Sequence, residues 1–152
     1  MTPKETFETA TQLTAGDILM RRGDVLPMLM AIKKGVANTI LVDWLYKDKP
    51  KLGKLIANVR QEVDFLSFAC RLWEVSPTVD EVKKQLTREE MRNHPSKKEV
   101  VSIIFYHGTE VWCKTAYITR IEGCSPTLGP WDNRNQTQPV TGPLVQPVPE
   151  WN

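Results

Sequence analysis

Residues 100–107 and 110–120 are two runs rich in apolar, β-branched and aromatic side chains, separated only by Gly108-Thr109. A Gly-X pair at that spacing suits a type II′ turn, whose twist matches that of paired strands. The chain is therefore committed to an antiparallel hairpin. Its register follows from the turn, with His107 opposite Glu110, Tyr106 opposite Val111, Phe105 opposite Trp112 and Ile104 opposite Cys113. Side chains alternate faces along a strand. One face then carries Val101, Ile103, Phe105 and Trp112, and the other Val100, Ile104, Tyr106, Val111 and Tyr117. With both faces apolar, the sheet needs cover on both sides.

The remaining body reads less uniformly. Gly16–Gly23 predicts a short strand bounded by glycines. Asp24 is placed to cap a helix through Ala37, on which Val25, Leu29, Ile32 and Val36 recur at helical spacing. Thr39–Tyr46 has strand composition. The apolar positions between Leu52 and Val75 favour a long amphipathic helix. Over Val63–Trp73 the β-propensity pulls the other way and leaves a strand as the alternative. Thr78 and Glu81 form a capping box for a surface helix running to about Asn93, before His94-Pro95.

Composition changes after Ser125. Six of the chain's 11 prolines fall in the last 27 residues, where only Asp132, Arg134 and Glu150 are charged. Proline lacks the N–H that helices and central strands need. Residues 126–152 are thus expected to form an extended arm, and residues 1–125 a compact body. The expected fold is α+β: a small mixed or antiparallel sheet with the hairpin in the C-terminal half, two or three helices, and the proline-rich arm.

The 152 residues match one domain. A net charge of +2 argues for neither nucleic acid nor membrane by itself, and no apolar run approaches the roughly 18 residues of a bilayer span. Without an apolar N-terminal segment no secretory signal is expected. Cys70, Cys113 and Cys124 lack the paired spacing of a disulfide framework or zinc site. Reduced thiols and a cytoplasmic location, or a particle assembled there, are expected. Neither a metal nor a cofactor is expected.

No common phosphate-binding or acyl-transfer motif occurs. Phe105-Tyr106-His107-Gly108-Thr109 resembles the Tyr/Phe-His-Gly-Thr/Ser strand of ADP-ribosyltransferase-like enzymes. That resemblance implies a His107 that holds the ribose of a nicotinamide dinucleotide. It covers five residues. In that family the motif opens the catalytic domain, whereas here only about 45 residues follow. A turn flanked by a solvated His107–Glu110 pair explains the same letters, and His94 reads as loop. No catalytic residue is assigned.

Two stretches point to binding. Between Lys33 and Arg60 the local charge is +5, with Trp44 and Tyr46 among the lysines. Aromatic rings beside cations suit single-strand nucleic acid, and Lys33, Lys34, Trp44, Lys47, Lys49, Lys51 and Lys54 are the candidate contacts. Lysines flanking an edge strand also discourage edge pairing. In the arm, Trp131, Leu144, Val145 and Trp151 stand between prolines as candidate anchors in a groove on a partner. The expected function is that of a non-enzymatic assembly or interaction protein. It would be a subunit or accessory factor of a larger, viral- or phage-particle-like complex, with protein subunits as partners and an arm that clasps one of them. The alternative is a nucleic-acid-binding or inhibitor module.

Overall fold

The computed structural model describes residues 1–134 and 144–147. The chain opens with a 20-residue helix, α1 (Pro3–Arg22). Thr2 Oγ1 accepts the Glu5 N–H at 3.1 Å and the Thr2 N–H donates to Glu5 Oε2 at 3.3 Å, a complete capping box with proline at the first position. Gly23, at φ 75°, ends the helix in a left-handed turn and donates its N–H to Leu19 O. The buried stripe Phe7, Thr11, Ala15 and Leu19 has a spacing of four. This overturns the strand expected over Gly16–Gly23. Gly16 is an ordinary helical position, where an added Cβ would come no closer than 3.7 Å to Leu128.

The expected helix from Asp24 to Ala37 is instead a hairpin of β1 (Met28–Lys33) and β2 (Val36–Leu41). Lys34 and Gly35 both take positive φ, 49° and 78°, as a two-residue type I′ turn requires. The i, i+4 spacing was incidental. Met28-Leu29-Met30 is a continuous apolar run because β1 lies between two strands and is covered on both faces. Beyond β2 the strand expected to Tyr46 gives way to a 3-10 turn (Asp43–Leu45).

Helix α2 (Lys49–Glu62) stops at Val63, and β3 (Phe65–Val75) follows. The alternative strand reading of this region is the correct one, and the long helix is not. Thr78 starts α3 (Val79–Lys84), which breaks at Gln85. Thr87 and Glu90 then form a second capping box for α4 (Arg88–Arg92). The hairpin is β4 (Lys98–His107) and β5 (Glu110–Thr119), in the expected register at every pair. At its turn Gly108 has φ 58°.

The fold is α+β, with antiparallel neighbours throughout the order β2-β1-β3-β4-β5-β6. Strand β6 (Thr127–Leu128) and strand β7 (Asp132–Arg134) pair with β5, and β8 (Leu144–Pro147) pairs with β3. Two cores lie on opposite faces. On one, Phe7, Ala15 and Leu19 of α1 meet Met28, Met30, Val101, Ile103 and Phe105. On the other, Leu52 of α2 joins Leu45 and Tyr46 over Leu29, Leu66, Phe68 and Cys70. The two helices therefore cover a sheet whose central strands are apolar on both sides.

Candidate interaction edge

Among the described residues, strand β2 ends the sheet. All six of its residues are exposed, and Val36 and Ile40 each keep 60% of their surface in solvent. The segment Val36-Ala37-Asn38-Thr39-Ile40-Leu41 carries no charge and no proline. Those are the devices that usually protect an edge from pairing.

Beside this edge, on the α1 side, lies a groove of about 430 Å³. Ile18 and Arg22 of α1 form one wall, Thr39 and Leu41 of β2 the other, and Met28 and Leu26 contribute apolar lining. The groove exists because α1 packs over β3, β4 and β6, with Met28 and Met30 of β1 beneath it, and leaves β2 beyond them exposed. Asp24 at its rim is held by Arg71, whose Nε lies 3.0 Å from Asp24 Oδ1. A free edge beside an apolar groove can receive an extended segment: the backbone supplies hydrogen bonds and the groove takes alternate side chains.

The lysines expected to contact nucleic acid are spread over several elements. Lys33 and Lys34 sit at the β1–β2 turn. Trp44 belongs to the 3-10 turn, and Lys47 follows it. Lys49, Lys51 and Lys54 are on α2. Lys49 Nζ stands 3.3 Å over the Tyr46 ring, and Lys51 Nζ lies 3.7 Å from Asp48. Arg60 donates to Gly108 O across the sheet and lies over Tyr106.

Of the arm residues, Trp131 packs against the α1-side core of its own chain. Leu144 and Val145 pair through their backbones with Val75 and Glu74. Trp151 lies outside the described residues.

A second cavity, about 280 Å³, lies between α2 and the sheet, lined among others by Tyr46, Lys49, Phe68, Cys70, Ser102 and Tyr106. Burial pushes the Cys70 thiol up to about 12, with Lys49 and a hydrogen bond to Tyr46 opposing the shift. Burial also raises Tyr46 above the ordinary tyrosine range. The Cys70 sulfur is thus protonated at neutral pH and is no nucleophile.

His107 is exposed, stacks on Phe65 at 4.2 Å and sends Nδ1 to Asp64 O at 2.8 Å. Its partner across the ladder, Glu110, is taken by Lys4 at 2.5 Å. That hydrogen bond and charge hold the Glu110 carboxyl below the usual range.

His94, which read as loop, is held on both nitrogens. Nε2 lies 2.8 Å from Glu81 Oε2, and Nδ1 faces Ser96 Oγ at 2.7 Å and the Ser96 N–H at 3.1 Å. Ser96 Oγ also accepts the Ser76 N–H at 2.9 Å. These bonds tie residues 76–81 to 94–96, and the Ser96 hydroxyl is occupied by its neighbours. No group of His, Cys, Asp and Glu that could hold a metal occurs among the described residues. No described helix is long and apolar enough to cross a membrane.

Comparison with protein-family models, curated proteins and solved structures finds no match to this chain.

Proposed function

We propose that the chain is a non-enzymatic interaction subunit of a larger assembly, which engages its protein partner by strand addition at β2. The observation that carries this reading is the edge itself: six uncharged, exposed residues, with Val36 and Ile40 in solvent on one face and Thr39 and Leu41 lining an apolar groove on the other. Monomeric proteins blunt such edges with charge, proline or a bulge, because an open ladder templates pairing. Here the groove gives an added strand a place for its side chains, which turns that liability into a docking site.

The test is the double variant Val36→Lys with Ile40→Lys. Both positions face solvent, so the melting temperature should stay within a few degrees of the parent. The native mass of the complex isolated from the source should fall to that of the assembly without this subunit. A variant that is incorporated as fully as the parent would reject the reading.

A further inference from the structure

We propose that the partner at β2 is a second copy of this chain, paired antiparallel through β2 about a two-fold axis beside Asn38. This rests on the reading of β2 as the interaction edge. The backbone determines which groups are free. In a two-residue hairpin the residues flanking the turn form a hydrogen-bonded pair, so Lys33 and Val36 are joined. Val36, Asn38 and Ile40 therefore direct their N–H and C=O groups toward β1, and Val42 continues this alternation by donating its N–H to Pro27 O at 2.8 Å. Ala37, Thr39 and Leu41 direct theirs outward, away from β1.

Symmetry then restricts the register. A two-fold axis perpendicular to the sheet keeps each side chain on its own face, so residues opposite one another must share parity. Centring on Asn38 satisfies this. Ala37 then lies opposite Thr39 of the second copy, and their outward groups close the ladder. Val36 lies opposite Ile40 of the second copy, twice across the axis, which covers the two most exposed apolar side chains of the edge. Centring one residue away sets Ile40 against Asn38 instead.

Charge selects the same orientation. Lys33 and Lys34 stand at one end of β2 and Asp43 at the other, and none of these side chains makes an ion pair among the described residues. Antiparallel self-pairing brings each lysine turn beside Asp43 of the other copy. Parallel pairing would set lysine against lysine.

The experiment uses the full chain with Cys124→Ser, which removes the exposed thiol. Sedimentation equilibrium should give the mass of two chains, and Ile40→Lys should weaken association by about 100-fold or more while the variant keeps the far-UV circular dichroism of the folded chain. Under mild oxidation Asn38→Cys should form a covalent dimer, because non-hydrogen-bonded opposite residues bring Cα atoms within roughly 4.5 Å. Ala37→Cys should not, since the two copies of residue 37 are diagonal neighbours about 7–8 Å apart. Lys34→Glu, at the turn itself, and Asp43→Lys should each weaken the dimer, and the two together should restore it.

A chain that stays monomeric at high concentration, with no cross-link at Asn38→Cys, overturns the inference. It leaves strand addition by a different protein to the incorporation test above. A dimer indifferent to Ile40→Lys, or one that cross-links through Ala37→Cys, overturns it as well.

Discussion

The ring of Trp112 lies flat against that of Phe105, centroids 5.2 Å apart and planes 14° from parallel, across the β4–β5 ladder. Around this pair the hairpin is fastened to α1. Trp112 Nε1 donates to Glu8 Oε2 at 2.8 Å, Lys114 joins Glu8 as well, and Lys4 sits over the Trp112 ring at 4.3 Å. Phe105 is fully buried beneath them and meets Phe7 edge-on. Phe105→Ala should therefore destabilise the chain by roughly 3–5 kcal/mol. Trp112→Phe keeps most of the stack but takes the indole donor from Glu8, and should cost about 1.5–3 kcal/mol. Urea unfolding of both variants measures the order: the alanine change should move the midpoint further.

Arg71 should be the most sensitive charged residue. Its side chain is 9% exposed and reaches Asp24 and Glu99, with NH1 2.9 Å from Glu99 Oε2. Glu99 is shared with Arg120, which is far more open to solvent. Arg71→Met takes the buried counter-charge from Asp24 and leaves Glu99 to Arg120, and should cost about 3 kcal/mol. Arg120→Ala removes a screened partner and should cost under about 1 kcal/mol. Equal losses on thermal unfolding would show that the cluster is solvated throughout.

The clasp between Glu81 and His94 predicts a dependence on acidity. The Thr78 N–H, then the His94 ring, hold the Glu81 carboxyl below its ordinary range. A carboxylate whose folded pKa is depressed adds stability that is fully present above its unfolded value. That stability is lost as pH falls through the folded value. Glu81→Gln should therefore be less stable than the parent near neutral pH. The two melting curves should converge as pH falls below the ordinary glutamate range and through the lower folded value, where the parent carboxylate itself becomes protonated.

Thiol chemistry should separate the three cysteines. Cys124 is exposed, Cys113 half-buried and Cys70 buried with its thiol pushed up to about 12. At mildly alkaline pH a disulfide reagent should consume Cys124 first, while Cys70 should react only after denaturation. The time course of Ellman's reagent on the folded and unfolded chain measures this. A fast second thiol that vanishes in Cys70→Ser would contradict the packing of α2 over β3.

The hairpin was legible in the residues themselves because everything that determines it is local. Gly108 supplies the positive φ of the turn, and the two-residue loop then sets every pair from His107–Glu110 back to Val100–Tyr117. The capping box at Thr78 is local in the same way. Two further local signals were present and went unread: Thr2-Pro3-Lys4-Glu5, which starts α1, and Thr87 with Glu90, which divides α3 from α4.

What tertiary structure decided is the identity of the segments whose periodicity fits two answers. Val25, Leu29, Ile32 and Val36 suit a helix, yet Leu29 packs under α2 while Met28 and Met30 pack under α1, because β1 is sandwiched between two helices. The same holds for β3, where Leu66, Phe68 and Cys70 face one helix and Ala69 the other. A strand covered on both faces shows no alternation, so its sequence is a plain apolar run. Strand β2 differs in being exposed along its whole length and in having one neighbour among the described residues. Its residues from Thr39 onward have strand composition, while Val36 and Ala37 fit the helical spacing. Neither marks an edge, since whether a strand's outer hydrogen bonds meet another strand or open solvent depends on where the rest of the chain comes to lie.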